Sequence, residues 1–273
     1  MRPIFALTRH SYDSYTDYRR LVDLSGFETC FVDQMDLQDS SAVYIVSPVN
    51  GEFRPHLEAH GKDRRARLVW WNLERPDPPA PSPPLSASLD GLAPLVDAIW
   101  VSDRHYATMD PRLRFVVLGS HPGLGAPPAL PLRYDFTHQS YVWGRRSAPI
   151  DAARRRWKEG GNAWGDARDA VLRSTRVLLN IHQTPAPIGE PLRFALAAAY
   201  HLPLVTETLA DGFPLVAGQH YFAAPLGGVP LLLQHVLLTD EPTRAAFGAA
   251  LYERLCVEHT CRRGVEDGIR SLL

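Results

Sequence analysis

The sequence predicts an α/β protein in which strands of parallel sheets alternate with helices. Three observations support this class. Short apolar runs alternate with helical patterns from the first residues onward, and one stretch, 177–207, contains a complete strand, helix and strand. A proline- and glycine-rich segment, 122–131, then separates two halves that both show the alternation. At 273 residues the chain is long enough for two domains, each with its own core.

The first half begins with a strand at 4–7, a polar loop at 8–13 and a helix at about 14–25. Parallel strands end at one edge of their sheet, so this loop is expected to open where ligands bind. His10, Asp13 and Asp17 are its candidate proton acceptors. Asp17 has a second interpretation, because Ser14-x-x-Asp17 has the spacing of a capping box. Further strands are predicted at 28–32, 42–46, 67–72, 97–101 and 113–118, and an irregular proline-rich loop at 76–84.

In the second half, the stretch 177–207 carries most of the candidate ligand-binding residues. Its helix has Pro191 in the first turn, where proline is tolerated, and it ends before Pro203. The free N–H groups at such a helix start favour an anion such as a diphosphate. The helix starts near Gly189, and the polar residues expected around this start are Asn180, His182, Glu190, Arg193 and Glu207.

Glu207 is the candidate for recognising a ribose. A carboxylate at the end of a neighbouring strand can bridge two sugar hydroxyls, as the acidic residue of dinucleotide-binding folds does. The alternative is that Glu207 is a solvated strand end and Glu190 a helix-start acid favoured by the dipole. The spacing alone leaves both interpretations open.

Further secondary structure is predicted on both sides of this unit. A strand is predicted at 139–143 and a helix at 166–174 before it. After it, a short strand is predicted at 219–223 and helices at 229–238 and 242–258.

The stretch 180–207 resembles the second half of GT-B glycosyltransferases, where a loop, an alanine-rich helix and a Gly-Leu-Pro-Val-Val strand hold the nucleotide sugar. The last element reads His-Leu-Pro-Leu-Val at 201–205 here. Upstream, Tyr-Val-Trp-Gly-Arg-Arg at 141–146 resembles the first strand of that half and its Gly-Arg turn. The resemblance implies two Rossmann-like domains that face each other across a cleft. It also gives Arg145 a contact with the donor diphosphate and Trp164 a position beside the nucleobase, although a lone tryptophan is more often a core residue.

Two features of the family pattern are missing. The usual pair of glutamates falls on Ile188 and Leu196, with Glu190 as a candidate replacement for the first. The lysine that often follows the Gly-Arg turn is replaced by Ile150.

The predicted organisation follows from the linker and the resemblance. An acceptor-side domain is expected at 1–128 and a nucleotide-sugar domain at 129–250. A C-terminal helical segment, 251–273, is expected to pack back on the first domain. The predicted activity is sugar transfer from a nucleotide sugar, with a UDP-sugar as the expected donor, no metal and no other cofactor. The acceptor is not identified. An inverting reaction needs a general base, for which His10, Asp13 and Asp17 are the first-loop candidates, whereas a retaining reaction needs none.

Two other functions are consistent with the sequence. A DNA-modifying glycosyltransferase acting on a hydroxymethylated base is suggested by the arginines at 64, 65, 67 and 154–156, which can meet phosphates. The net charge of −1 argues against that function. A non-catalytic nucleotide-binding or scaffold protein on a GT-B frame is suggested by Leu196, which replaces the usual glutamate.

The composition excludes several classes of protein. The chain is 22% charged and has no apolar run long enough to cross a bilayer, so a membrane-spanning protein is not expected. Three cysteines without framework spacing favour a reducing, cytoplasmic location. The histidines at 56 and 60, and the group Cys256, His259 and Cys261, lack the further ligands of a zinc site.

Overall fold

The computed structural model describes residues 1–47, 53–60, 63–73, 85–128 and 131–272. These residues form two compact units. The first comprises Met1–Leu118 together with Cys261–Leu273, and the second comprises Gly119–Thr260. Each unit contains a parallel sheet, which confirms the predicted α/β class. The proline-rich loop predicted at 76–84 lies outside the described residues.

The first unit contains a six-stranded parallel sheet with the order β2-β1-β3-β4-β5-β6. Strands β3 and β5 are continuous apolar runs that are buried along their whole length, as expected when both faces of a sheet are covered. The strands are β1 Arg2–Leu7, β2 Glu28–Phe31, β3 Ala42–Val46, β4 Arg67–Asn72, β5 Ala98–Val101 and β6 Leu113–Phe115. The helices are α1 Arg9–Ser14, α2 Thr16–Leu24, α3 Arg54–His60, α4 Leu85–Leu92 and α5 Arg104–Ala107.

The second unit contains a four-stranded parallel sheet with the order β10-β9-β8-β7. Buried side chains of β7, β8 and β9, among them Phe136, Val177 and Val205, pack with helices to form its core. The strands are β7 Tyr134–Thr137, β8 Thr175–Asn180, β9 Leu204–Glu207 and β10 Phe222–Ala224. The helices are α6 Ser147–Arg154, α7 Gly165–Leu172, α8 Pro191–Ala199, α9 Val229–Leu238 and α10 Glu241–Tyr252, which continues as a π-helical segment, Glu253–Glu258.

The last helix, α11 Cys261–Arg270, belongs to the first unit. Two glycines let it lie close to that unit: a Cβ on Gly264 would lie 2.1 Å from the Val117 carbonyl oxygen, and one on Gly268 would lie 2.7 Å from the Trp100 ring. The returning segment therefore starts at Cys261, whereas the sequence placed its start at residue 251.

The boundary between the halves also differs from the predicted position after residue 128. Ser120 donates from its hydroxyl to the Ala195 carbonyl oxygen at 2.8 Å and from its backbone N–H to the Leu255 carbonyl oxygen at 2.8 Å. These bonds place the start of the proline- and glycine-rich segment in the second unit.

Several local predictions need correction. The strand predicted at 139–143 is wrong, because β7 ends at Thr137 and the following segment is a loop. The predicted loop at 8–13 is instead the short helix α1, since the Thr8 hydroxyl oxygen accepts the Ser11 N–H at 3.0 Å and caps it. Ser14 is consequently the last residue of α1, and Tyr15 takes the N-cap position of α2. In the described part of the chain, no helix combines the length and the apolar character that a bilayer crossing requires.

Candidate functional site

The carboxyl edge of the second sheet gathers most of the polar residues that the sequence singled out. Asn180 and Glu207 are the last residues of the neighbouring strands β8 and β9, which pair in parallel. Helix α8 follows, with Glu190 as its N-cap residue and Pro191 in its first turn. No side-chain hydrogen bond caps this helix. Its positive end therefore lies at the same edge as the two strand ends.

Glu207 is held by Arg145 in a two-pronged ion pair. Nη1 and Nη2 of Arg145 lie 2.8 and 2.7 Å from Oε1 and Oε2 of Glu207. The carboxylate also accepts the backbone N–H of His182 at 2.6 Å. Arg145 further donates to the carbonyl oxygens of His182 and Thr184, at 2.9 and 3.1 Å. One guanidinium thus fixes the end of β9 to the loop that follows β8.

A second ionic group lies around Glu190. Arg146 donates from Nη2 to Glu190 Oε1 at 3.0 Å, and Arg193 donates from Nη1 to the other carboxylate oxygen. Arg193 also bonds Asn180 Oδ1 at 2.6 Å, and Asn180 donates from Nδ2 to the Thr206 hydroxyl at 3.1 Å. Glu190 consequently pairs with two arginines and does not cap α8.

His138 is a buried site residue that the sequence analysis missed. It follows β7 directly, is fully buried, and has Nδ1 3.0 Å from the Leu179 carbonyl oxygen. That geometry requires the proton on Nδ1, so Nε2 is an acceptor, and it has no hydrogen-bond partner among the described residues. Burial, reinforced by the charge of Arg193, lowers the pKa of His138 to about 3. A correct placement of β7 would have brought this histidine to the strand end, where ligand-binding residues are sought.

The structure therefore brings together seven of the predicted donor-binding residues along one edge. His182 contributes its backbone to Glu207, its side chain is buried, and Gly189 precedes the N-cap of α8. The seven residues are Arg145, Asn180, His182, Gly189, Glu190, Arg193 and Glu207.

Trp164 lies outside this ionic network. Its side chain is 49% exposed, and the Arg168 guanidinium lies 4.1 Å above its ring. The loop before it is fixed by polar side chains that follow β7. Gln139 donates to the Gly161 carbonyl oxygen at 2.9 Å and accepts the Ala163 N–H at 3.2 Å. Trp164 is thus an exposed ring on a tethered loop, and the interpretation of it as a core residue is wrong.

The three candidate proton acceptors lie in the first unit. His10 and Asp13 are exposed on α1, and Asp17 is half-buried in the first turn of α2. An acid in the first turn of a helix is stabilised by the dipole, so Asp17 keeps a structural interpretation. The structure therefore places these three residues in a different unit from the ionic network.

The charges of the network favour an anionic ligand. Three arginines face two carboxylates, while His138 is neutral, so the group carries one net positive charge beside a helix N-terminus. Glu207 retains lone pairs beyond the bonds described above, which allows a hydroxyl to donate to it. Arginine side chains and a helix N-terminus suit a diphosphate, and a carboxylate suits the hydroxyls of a ribose. The group therefore has features that suit a nucleoside diphosphate.

Comparisons with known proteins identify the fold. No family model and no curated protein matches the sequence. Among solved structures, the chain is similar to HepE from Anabaena in complex with UDP-glucose, at 12% identity and a TM-score of 0.63, over 99% of this chain and 100% of that one. It is also similar to AviGT4, a glycosyltransferase involved in avilamycin A biosynthesis, at 12% identity and a TM-score of 0.56, over 100% and 98%.

A third similarity is to TarM, at 9% identity and a TM-score of 0.60. It covers 85% of this chain and only 55% of that longer chain. At such identities the likeness shows the fold alone. That fold is GT-B, which confirms the resemblance seen in the sequence.

Proposed function

We propose that this GT-B protein is a glycosyltransferase that binds a nucleotide sugar at the carboxyl edge of the second sheet. The observation that carries the proposal is the two-pronged Arg145–Glu207 ion pair beside the start of α8. Among proteins with this fold, HepE is known in complex with UDP-glucose and AviGT4 is a glycosyltransferase. A UDP-sugar is therefore the donor that we propose.

In this proposal Glu207 accepts a hydrogen bond from the ribose of the donor. Arg145 is already engaged by Glu207 and by two carbonyl oxygens, so its first task is to orient the carboxylate. Arg193 is better placed to meet the diphosphate. Its Nη1 is bonded to Asn180 and Glu190, whereas its Nε and Nη2 have no bond to the described residues. These donors and the N-terminus of α8 would face the phosphates together.

Transfer of the sugar leaves negative charge on the departing nucleoside diphosphate. Fixed positive groups stabilise such a transition state more than the ground state, because the charge they face grows during the reaction. Arg193, Arg145 and the α8 N-terminus would supply this stabilisation, so the proposed reaction needs no metal ion. The buried neutral His138 lets two arginines share Glu190 without a third positive charge beside them.

The acceptor is proposed to bind on the first unit, as the resemblance implies. If the reaction inverts the anomeric centre, one of His10, Asp13 and Asp17 takes the acceptor proton. His10 and Asp13 are the exposed members of this set.

Thermal-shift measurements with UDP, ADP, GDP and their glucose conjugates test the donor site. A ligand that binds only the folded state at 100 times its Kd stabilises it by about 2.7 kcal/mol. We expect UDP and UDP-glucose to raise the Tm in the presence of EDTA. Glu207→Gln, which keeps the shape of the side chain, should lose most of this rise, whereas the exposed control Glu253→Gln should keep it.

Three outcomes contradict the proposal or a part of it. If none of the nucleotides raises the Tm, the second unit is not a donor site. If UDP-glucose binds but is neither hydrolysed nor transferred across a panel of acceptors, the scaffold alternative is supported. An equal rise in wild type and Glu207→Gln would remove Glu207 from the site.

A further inference from the structure

Helix α9 is apolar on its outer face as well as on the face that packs in the core of the second unit. No Asp, Glu, Lys or Arg occurs in its sequence, VPLLLQHVLL. Leu231 and Leu238 are nevertheless 68% exposed each, while Leu233 and Val236 are buried. A surface helix normally presents charged residues to water. Helix α9 therefore lacks the feature that would suit its outer face to water alone.

The two exposed leucines share one face of α9 with Gln234 and His235. Positions 231, 234, 235 and 238 have the three- and four-residue spacings that place side chains on one side of a helix. Seven residues of helix span about 10 Å, so the leucines lie at the two ends of a short stripe. We call Leu231, Gln234, His235 and Leu238 the α9 stripe.

Positive charge from the end of α6 borders the α9 stripe. Arg156 donates from Nη1 to the side-chain oxygen of Gln234, in the middle of the stripe. Its neighbour Arg155 is exposed as well. Neither arginine has an acidic partner among the described residues. Apolar side chains and uncompensated cations therefore occur together on this part of the second unit.

The acidic residues that are close in sequence to the stripe and to these arginines have partners of their own. Arg154 pairs with two of them, Arg244 pairs with a third, and the fourth caps α10. In that order, these acids are Asp151, Glu159, Glu241 and Asp240. Arg155 and Arg156 are consequently the cations left to meet an anion.

We propose that the α9 stripe docks on an anionic membrane surface. The leucines would insert below the lipid headgroups, and Arg155 and Arg156 would contact the lipid phosphates. The inference is independent of the proposed donor site.

Other occupants fit the α9 stripe less well. A lipid surface accepts single side chains from a convex helix, whereas a protein partner requires about 800 Å² from each side. A two-fold contact between copies of the chain along α9 would bury the arginines of both copies in one interface without acids to pair with. Nucleic acid would meet the arginines but would leave the leucines exposed to water.

Cosedimentation of the full chain with vesicles tests this inference. The vesicles contain phosphatidylcholine alone or an equimolar mixture with phosphatidylglycerol. We expect tighter binding to the mixed vesicles, and weaker binding in added salt, because salt screens the arginines. Leu231→Ser and Leu238→Ser should each weaken binding about 3- to 10-fold. Arg156→Gln should weaken it about 5-fold.

The matched control is Val257→Ser, which removes a side chain that is 51% exposed in the π-helical segment after α10. This variant should bind the mixed vesicles like wild type. All four substitutions are at exposed positions, so each variant should keep the Tm of wild type to within about 2 °C.

Three results would overturn the inference. The first is a wild type that does not bind the mixed vesicles, or that binds them independently of phosphatidylglycerol or of the two leucines. The second is a dimer in sedimentation velocity that Leu231→Ser dissociates, which would identify a second copy as the occupant. The third is retention on a duplex DNA column that Arg156→Gln abolishes and Leu231→Ser preserves, which would identify nucleic acid.

Discussion

The buried, neutral His138 makes the stability of the protein depend on pH. Its pKa is about 3 in the folded protein, because the ring is buried beside Arg193, and about 6.5 in an unfolded chain. Below pH 6.5 the unfolded chain therefore binds a proton that the folded protein excludes. Stability contributed by this group is complete above pH 6.5 and is lost as the pH falls towards 3.

The size of the effect follows from the difference between the two pKa values. Each pH unit between them is worth about 1.4 kcal/mol, so lowering the pH from 7.5 to 5.0 costs about 2 kcal/mol through His138 alone. That is a substantial part of the 5–15 kcal/mol that stabilises most proteins, by the usual order of magnitude.

The measurement compares wild type with His138→Asn, whose amide can still donate to the Leu179 carbonyl oxygen. Urea unfolding of both proteins is followed by circular dichroism at pH 7.5, 6.5, 5.5 and 5.0. Other histidines titrate in both proteins, so the difference between the two curves isolates His138. We expect the difference to shrink by about 2 kcal/mol between pH 7.5 and 5.0.

Parallel loss of stability in the two proteins over this range would refute the reasoning. NMR titration gives an independent check. The His138 Cε1–H resonance should stay at its neutral position down to pH 4, and a midpoint near 6.5 would contradict the buried, neutral assignment.

Two further substitutions test the packing of the second unit. Arg146→Ala removes a buried guanidinium that pairs with Glu190, and breaking such a pair costs about 3–5 kcal/mol, which a fall of about 10 °C in the Tm would show. An unchanged Tm would contradict this expectation and would mean that Arg193, the second arginine on Glu190, is sufficient to compensate its charge. Gly248→Ala places a Cβ 2.1 Å from the His201 carbonyl oxygen and should cost about 1–3 kcal/mol in urea unfolding. Gly227→Ala, which meets open space, should stay within about 0.5 kcal/mol of wild type, and equal effects at the two glycines would contradict the packing argument.

Apolar patterning determined the architecture from the sequence alone. The predicted ranges 42–46, 67–72 and 229–238 coincide with β3, β4 and α9. The first two ranges have the length of strands and the third has the length of a helix, and this difference in length distinguishes the two kinds of element. The local pattern gave a wrong prediction where side chains bind backbone groups that a strand would pair. The segment 139–143 has strand-forming residues, but bonds from Arg146 and Gln139 hold it and its neighbours as a loop.

The topology of a parallel sheet also determined which residues share an edge. Asn180 and Glu207 end consecutive strands of one βαβ unit, so their proximity follows from the order of elements. The resemblance to GT-B proteins added Arg145, which is 62 residues from Glu207 in the chain.

Only the tertiary structure decided how these groups pair. Nothing in the spacing shows that Arg145 binds Glu207 while Arg146, its neighbour, turns inward to Glu190. The sequence does not distinguish two adjacent arginines. Their roles differ because the side chain of Arg145 is 21% exposed, whereas that of Arg146 is 2% exposed. The tautomer of His138 likewise depends on a contact that the sequence does not show, the Leu179 carbonyl oxygen of β8 beside Nδ1. Patterning specifies which elements form, whereas the partner of a charge depends on distances of a few ångströms that exist only after the sheet has assembled.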